Sequence, residues 1–173
     1  EFEKACRGAN ITPVPNEFPW GSTTINNVGT LVNTGQNNEA QTAPYGNCNF
    51  NGSTPTRCGL FARSGTGAYR DSSGATYYGA MDMGGNVWEK CVLTYNNATN
   101  LAFTNTNGDG YLAGDGSTDI ANWKNTYYAI RGSGYGNGTS IYCRTSDRLY
   151  GAINAYSDAN NGSVGFRLVR TAE

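Results

Sequence analysis

Turn-forming residues interrupt this chain so often that long helices are excluded over much of its length. Between residues 10 and 76, Gly, Asn, Pro, Ser and Thr recur every few positions, and no helical or strand period is sustained. Two apolar groups break this pattern, Pro19-Trp20-Gly21 and Gly59-Leu60-Phe61, and we predict that they anchor the loops to a core. Loops of this length in a compact domain are usually functional or fixed by bound ions. The sequence therefore predicts a domain built mainly from loops.

Regular structure is predicted in a few short segments. Residues 1–8 contain good helix formers and predict a short helix that ends at Gly8. Residues 83–92 alternate like a buried strand, and further strands are predicted at residues 127–131 and 164–170. Short strands linked by very long loops, with little helix, indicate an α+β domain.

Length and charge narrow the classes of partner. The 173 residues correspond to a single domain, which we place at residues 1–173. Aromatic residues make up 12% of the chain, which is too many for a disordered protein. A formal net charge of −1 gives no electrostatic reason to bind nucleic acid. The apolar runs are too short for membrane insertion. We therefore expect neither nucleic acid nor an inserted membrane segment among its interactions.

The chain contains no histidine, which removes every mechanism that depends on an imidazole. Ser-His-Asp triads, three-histidine zinc sites and facial-triad iron are all excluded. The spacing of the five cysteines contains no CxxC, which argues against a zinc knuckle or a thioredoxin motif. Cys48 and Cys58 flank a short turn-rich segment that a disulfide would close, and Cys91 with Cys143 is the other plausible pair, leaving Cys6. Buried free thiols are an equally open alternative.

Two carboxylates, Asp82 and Glu89, lie within an otherwise apolar stretch, where uncompensated charge is costly. Together with backbone carbonyls they would form a site of hard oxygen ligands, which suits calcium. Exposure to solvent, or pairing with arginine, is the alternative explanation.

Several short motifs follow one another along the whole chain. In order, they are EFEKACRGA at the start, Pro19-Trp20-Gly21, Asn33-Thr34-Gly35, Gly85-Asn-Val-Trp-Glu89, Arg131-Gly132, Cys143-Arg144-x-x-x-Arg148 and Val164-Gly-Phe-Arg-Leu168. This succession resembles the formylglycine-generating enzyme (sulfatase-modifying factor) family. The resemblance implies a loop-rich α+β fold of the C-type lectin-like type, with short antiparallel strands and few helices. It begins within the family domain, so we expect the N-terminal part of that domain to be absent here, or supplied by another segment or chain.

The same resemblance implies calcium as a cofactor. Position by position, the family's calcium ligands match Asp82, the carbonyls of Gly85 and Val87, and Glu89. A second family site would involve Asn37 and Glu39, where the chemistry fits only loosely.

Catalysis in the family, as the resemblance implies, uses two cysteines five residues apart that bind copper(I). Cys143 matches the second of them, but Gly138 stands five residues upstream, or Asn137 if one residue is inserted. Because this pair is incomplete and no histidine is present, we predict that the chain is not an enzyme and binds no copper. The alternative is an oxidase of peptidyl cysteine in which Cys143 works alone or with a cysteine that folding brings close.

Residues 131–167 resemble the variable C-terminal region of ligand-binding proteins encoded by diversity-generating retroelements, which share this fold. Adenine mutagenesis turns AAY codons into NNY codons, and NNY cannot encode Lys, Glu, Gln, Met or Trp. None of these residue types occurs between Arg131 and Arg167, although the rest of the chain uses all of them. Chance depletion in a Gly-, Ser- and Tyr-rich loop is the alternative. The candidate varied, ligand-binding positions are Tyr135, Gly136, Asn137, Ser140, Ile141, Tyr142, Asp147, Leu149 and Tyr150.

These observations predict a non-catalytic receptor-binding or adhesion domain that is extracellular, on the surface of a cell or virion. Tyrosine supplies large contact area at low entropic cost, and Ser, Gly and Asn supply adaptable hydrogen bonds. Such a surface suits a protein or glycan ligand on another cell or particle. A third possibility is a structural subunit of a filament or tail, which predicts that Tyr142 and Tyr150 are buried between identical subunits.

Overall fold

The computed structural model describes residues 2–62, 69–91, 95–96, 99–100, 129–150 and 162–166. Its elements, in chain order, are α1 (Phe2–Arg7), β1 (Leu31–Val32), β2 (Ala40–Gln41), α2 (Arg70–Ser73), β3 (Trp88–Cys91), β4 (Tyr95–Asn96), β5 (Thr99–Asn100), β6 (Ala129–Arg131), a 3₁₀ turn (Ile141–Cys143) and β7 (Val164–Gly165). The described chain is thus a mixture of few helices and short strands in small sheets, joined by loops. This confirms the loop-rich α+β prediction. Among the described residues, neither helix is long or apolar enough to cross a bilayer.

The central sheet has three strands in the order β6-β3-β7. Strand β3 pairs antiparallel with β6, where Glu89 faces Arg131, and parallel with β7, where Trp88 faces Val164. Ile130 in β6 is 1% exposed and Trp88 is 4% exposed, so this sheet contributes buried side chains to the core. Strands β1 and β2, and strands β4 and β5, form separate antiparallel pairs.

The sequence-based boundaries were partly wrong around β3. The predicted strand at residues 83–92 begins only at Trp88, because Gly85 and Asn86 have φ of +78° and +66°. Two consecutive residues in the left-handed region cannot continue a strand, so residues 83–87 form a turn. The helix α2 was missed inside a predicted loop. The helix α1 ends before Gly8 as predicted, because Gly8 has φ of +95° and donates its N–H to the Lys4 carbonyl at 2.9 Å.

The predicted anchors are buried. Trp20 stacks on Phe18 with ring centroids 5.2 Å apart, and both pack with Cys48 and Cys143 in the hydrophobic core. The second anchor, Leu60 with its neighbour Phe61, is also buried. Apolar groups within the loops therefore attach those loops to the core, as expected.

Side-chain amides fix the loops between the anchors. Asn27 Oδ1 accepts the backbone N–H groups of Phe50 and Asn51 at 3.0 and 2.9 Å. The Asn86 amide accepts from Thr56 N–H at 2.8 Å and donates to its carbonyl at 3.0 Å. Because a buried polar backbone group must be hydrogen-bonded, these amides take the place of a sheet ladder.

Candidate functional site

The loop that follows β6 is fastened to the turn before β3. Gly132, with φ of +90°, turns the chain out of the sheet, and its carbonyl accepts the N–H of Gly85 at 2.6 Å. Tyr135 donates its N–H to the Asn86 carbonyl and accepts the N–H of Gly52, both at 2.8 Å. The backbone beneath the candidate variable region is therefore held from two sides.

None of the nine candidate ligand-binding residues is buried. Ile141 and Leu149 are 49% and 51% exposed, Gly136 is exposed, and the other six are half-buried. The Asn137 amide donates to Ser133 Oγ and to the Gly134 carbonyl at 3.1 Å each, so it also braces its own loop.

The acidic member of the set is Asp147. Partial burial raises the pKa of its carboxyl, and this effect outweighs the Leu149 backbone hydrogen bond and the nearby Arg131 and Arg144 cations, which lower it. The other eight candidate residues are uncharged.

An aromatic cluster joins two stretches of this surface. Trp88 is buried, and its ring centroid lies 5.7 Å from that of Tyr142 and 5.3 Å from that of Tyr150. The two tyrosine rings are 5.6 Å apart. These separations are typical of favourable aromatic pairs. Sequence reasoning did not identify Trp88 as the buried residue that packs against both tyrosines.

An arginine network ties the surface to α1. Glu3 Oε1 accepts from Arg148 Nε at 2.8 Å and from Arg131 Nη2 at 3.4 Å. Arg131 Nη2 also donates to the Thr145 carbonyl at 2.7 Å. Partial burial raises the pKa of Glu3, but the Arg148 and Arg131 partners outweigh it and hold that pKa below its usual value. Arg167 lies outside the described residues.

The first predicted calcium segment contains two buried carboxylates. Asp82 is 5% exposed and Glu89 is 4% exposed. Asp82 Oδ2 accepts the N–H of Gly59 at 3.0 Å, and a Cβ at Gly132 would collide with Glu89 Oε2. No group of three or more Cys, Asp or Glu side chains suited to a metal occurs among the described residues. The donor chemistry fits a hard cation when backbone carbonyls complete the ligand set.

The residues of the second predicted calcium site have different surroundings. Asn37 is exposed, whereas Glu39 is 3% exposed. Glu39 Oε2 accepts the N–H of Arg57 at 2.8 Å, and the Glu39 carbonyl accepts from Arg57 Nη2 at 3.2 Å. The Glu39 carboxylate therefore already supports a loop.

The cysteine pairings considered from spacing do not match the fold. Cys48 Sγ lies 3.7 Å from Cys143 Sγ, and both residues are fully buried. Cys58 is exposed and Cys91 is half-buried. No signal in the sequence spacing identified Cys48 as the neighbour of Cys143.

Copper(I) in proteins is bound by cysteine thiolates. Burial, and then the hydrogen bond with Cys143, raise the pKa of Cys48 well above its usual value. Cys48 also donates its S–H to the Gly84 carbonyl at 3.1 Å. Of the two positions that the resemblance implies for the other cysteine, Gly138 is exposed with φ of +68° and Asn137 is half-buried.

A groove of about 410 Å³ adjoins the loop after β6. Gly138 in that loop donates its N–H to the Phe50 carbonyl at 3.0 Å, next to the groove-lining segment at residues 51–54. Uncharged residues line the groove: Asn27, Val28, Gly29, Leu31, Thr34, Asn51, Gly52, Ser53 and Thr54.

Comparison with known proteins gives one family. The family model of the sulfatase-modifying factor enzyme 1-like domain (FGE-sulfatase) matches residues 1–172. No curated protein and no solved structure matches the chain.

Proposed function

The chain belongs to the sulfatase-modifying factor enzyme 1-like family, and from this premise we propose that it is a non-catalytic member that binds a ligand through its C-terminal surface. The scaffold is of the C-type lectin-like type, and the surface is a variable region of the kind that diversity-generating retroelements produce. The domain acts in receptor binding or adhesion, outside the cell, on a cell or virion surface.

The exposure of the nine candidate positions carries this proposal. Every one of them is exposed or half-buried, while the backbone between them is hydrogen-bonded to the core. Apart from Asn137, whose amide braces its own loop, these side chains can therefore change without removing the backbone hydrogen bonds that hold the loop. Antibody loops combine recognition and stability in the same way.

The chemistry of the surface favours a neutral partner. Half-buried tyrosines lie beside exposed aliphatic side chains, and the adjoining groove is lined by amides, hydroxyls and small apolar groups. Aromatic residues are enriched at the centres of protein interfaces. A protein or glycan on another cell or particle fits this surface better than an anionic ligand.

Calcium is part of the proposal. Asp82 and Glu89, with the carbonyls of Gly85 and Val87, would hold the ion, and it would fix the turn between them.

Two isoleucines of nearly equal exposure provide the test of binding. Ile141, within the surface, is 49% exposed, and Ile11, outside it, is 47% exposed. The probes are a glycan array and intact bacterial cells, with the labelled chain as analyte. Ile141→Asp should weaken binding by about 30-fold, as expected for loss of roughly 2 kcal/mol at an interface hot spot. Ile11→Asp should bind like the unmodified chain, and equal losses in both variants would contradict the proposal.

Diversification has its own test in the neighbouring DNA. A reverse transcriptase gene and a near-copy of codons 131–167 with extra adenines would support it. A complete flanking sequence that holds neither contradicts it.

The oxidase remains the second candidate because folding brings Cys48 within 3.7 Å of Cys143. An anaerobic copper(I) titration of the reduced chain separates the two functions. The proposal expects weak, non-stoichiometric binding. Tight stoichiometric binding that Cys143→Ser abolishes would favour the enzyme instead.

A further inference from the structure

Two cysteines that lie 95 positions apart in the chain meet in the aromatic core. Their sulfur atoms are 3.7 Å apart, and each residue is 0% exposed. Phe18 and Trp20 pack in the same cluster, so water is excluded from the pair. Cys143 ends the 3₁₀ turn of the candidate ligand-binding surface, whereas Cys48 belongs to the long loop region.

The backbone of the turn before β3 passes close to the cysteine pair. A Cβ at Gly85 would lie 2.5 Å from Cys48 Sγ, and one at Gly84 would lie 3.4 Å from the Cys143 carbonyl. The two glycines therefore let the turn before β3 pass directly against the cysteine pair. This close packing holds the two sulfurs in contact.

We propose that Cys48 and Cys143 form a disulfide when the chain folds in an oxidising compartment. The bond would join the loop region to the base of the candidate ligand-binding surface. This inference concerns the scaffold and stands whether or not the surface binds a ligand.

The reaction is thiol–disulfide exchange with a small-molecule or protein disulfide, such as oxidised glutathione. One protein thiolate attacks the oxidant and displaces its first thiol, which gives a mixed disulfide. The second protein thiolate attacks the mixed disulfide, forms the Cys48–Cys143 bond and releases the second thiol. The two protein thiols lose two electrons and two protons, and the oxidant gains both.

Burial determines when this exchange takes place. Both sulfurs are inaccessible in the folded chain, and burial also raises the pKa of Cys48 and so reduces its thiolate fraction. The bond therefore forms during folding, before the core closes. Once formed, the same burial protects it from reductants.

Refolding in a glutathione redox buffer tests the proposal. The full chain, reduced and denatured, is refolded with mixed reduced and oxidised glutathione, then denatured in an alkylating reagent and digested. Mass spectrometry should find the Cys48 and Cys143 peptides joined, with a mass lower by two hydrogen atoms. The melting temperature should be about 10 °C higher than that of the reduced chain, because the bond closes a long loop in the unfolded state.

Variants supply the controls. Cys58→Ser, at an exposed cysteine, should keep the difference in melting temperature between oxidised and reduced protein. Cys48→Ala and Cys143→Ala should each abolish it. The result that overturns the proposal is native, refolded wild-type chain in which both cysteines are alkylated without prior reduction. That measurement needs no variant, so it holds even if a substitution prevents folding.

Discussion

Substitution of Gly85 by alanine tests how closely the turn before β3 approaches the core. Gly85 has φ of +78°, and a Cβ there would lie 2.5 Å from Cys48 Sγ and 2.7 Å from the Asn49 carbonyl oxygen. The residue also donates its N–H to Gly132 at 2.6 Å, which fastens the candidate ligand-binding loop. Gly85→Ala therefore combines backbone strain with a steric clash at the centre of the structure.

Gly35 offers a matched control with the same backbone conformation. Its φ is +75°, and within the described residues a Cβ there would meet nothing within 4 Å. Gly35→Ala should cost about 1 kcal/mol from the left-handed conformation alone. Gly85→Ala should cost that amount plus about 2 kcal/mol for forcing atoms into a packed core. The expected difference between the two variants is thus about 2 kcal/mol, or roughly 6 °C in melting temperature.

Urea denaturation measures this difference, with reductant present so that the cysteines have the same state in every sample. Midpoints and slopes give the free energy of unfolding for the wild type and both variants. Free energies of the two variants that agree within about 0.5 kcal/mol would refute the reasoning, because strain alone would then explain both.

The remaining predictions concern three polar groups. Asn86→Gly still permits the positive φ, but it removes two buried hydrogen bonds to the backbone of Thr56. The free energy of unfolding should therefore fall by about 2 kcal/mol. A fall of less than about 0.5 kcal/mol in urea denaturation would contradict this. The pKa of Glu3 is lowered in the folded state, so its stabilising effect is present above the unfolded pKa and is lost as pH falls through the folded value. Melting curves below about pH 5 should therefore show a smaller loss of stability in Glu3→Gln than in the wild type, and parallel losses would disprove this. Calcium should raise the melting temperature of the wild type, and a chelator should reverse the rise. The melting temperature of Glu89→Gln should not respond to calcium. Identical wild-type melting temperatures with calcium and with chelator would contradict the calcium site.

Local signals in the sequence determined the class of fold. Frequent turn residues predicted the loops, Gly8 marked the end of α1, and the apolar groups around Trp20 and Leu60 identified the anchors. Each signal acts within a few residues, because turn chemistry and short apolar patterns depend on neighbours along the chain. The ordered motifs likewise identified the family, which its model matches over residues 1–172.

The tertiary structure alone decided which distant residues meet. Cys48 lies next to Cys143, and Trp88 packs against Tyr142 and Tyr150. The spacing of these residues along the sequence does not predict either contact. Such contacts are especially hard to predict in a loop-rich chain, because a loop has no period from which the direction of a side chain can be derived. The path of each loop is set instead by the side-chain amides, glycines and apolar anchors that it happens to reach, and those become neighbours only when the core packs.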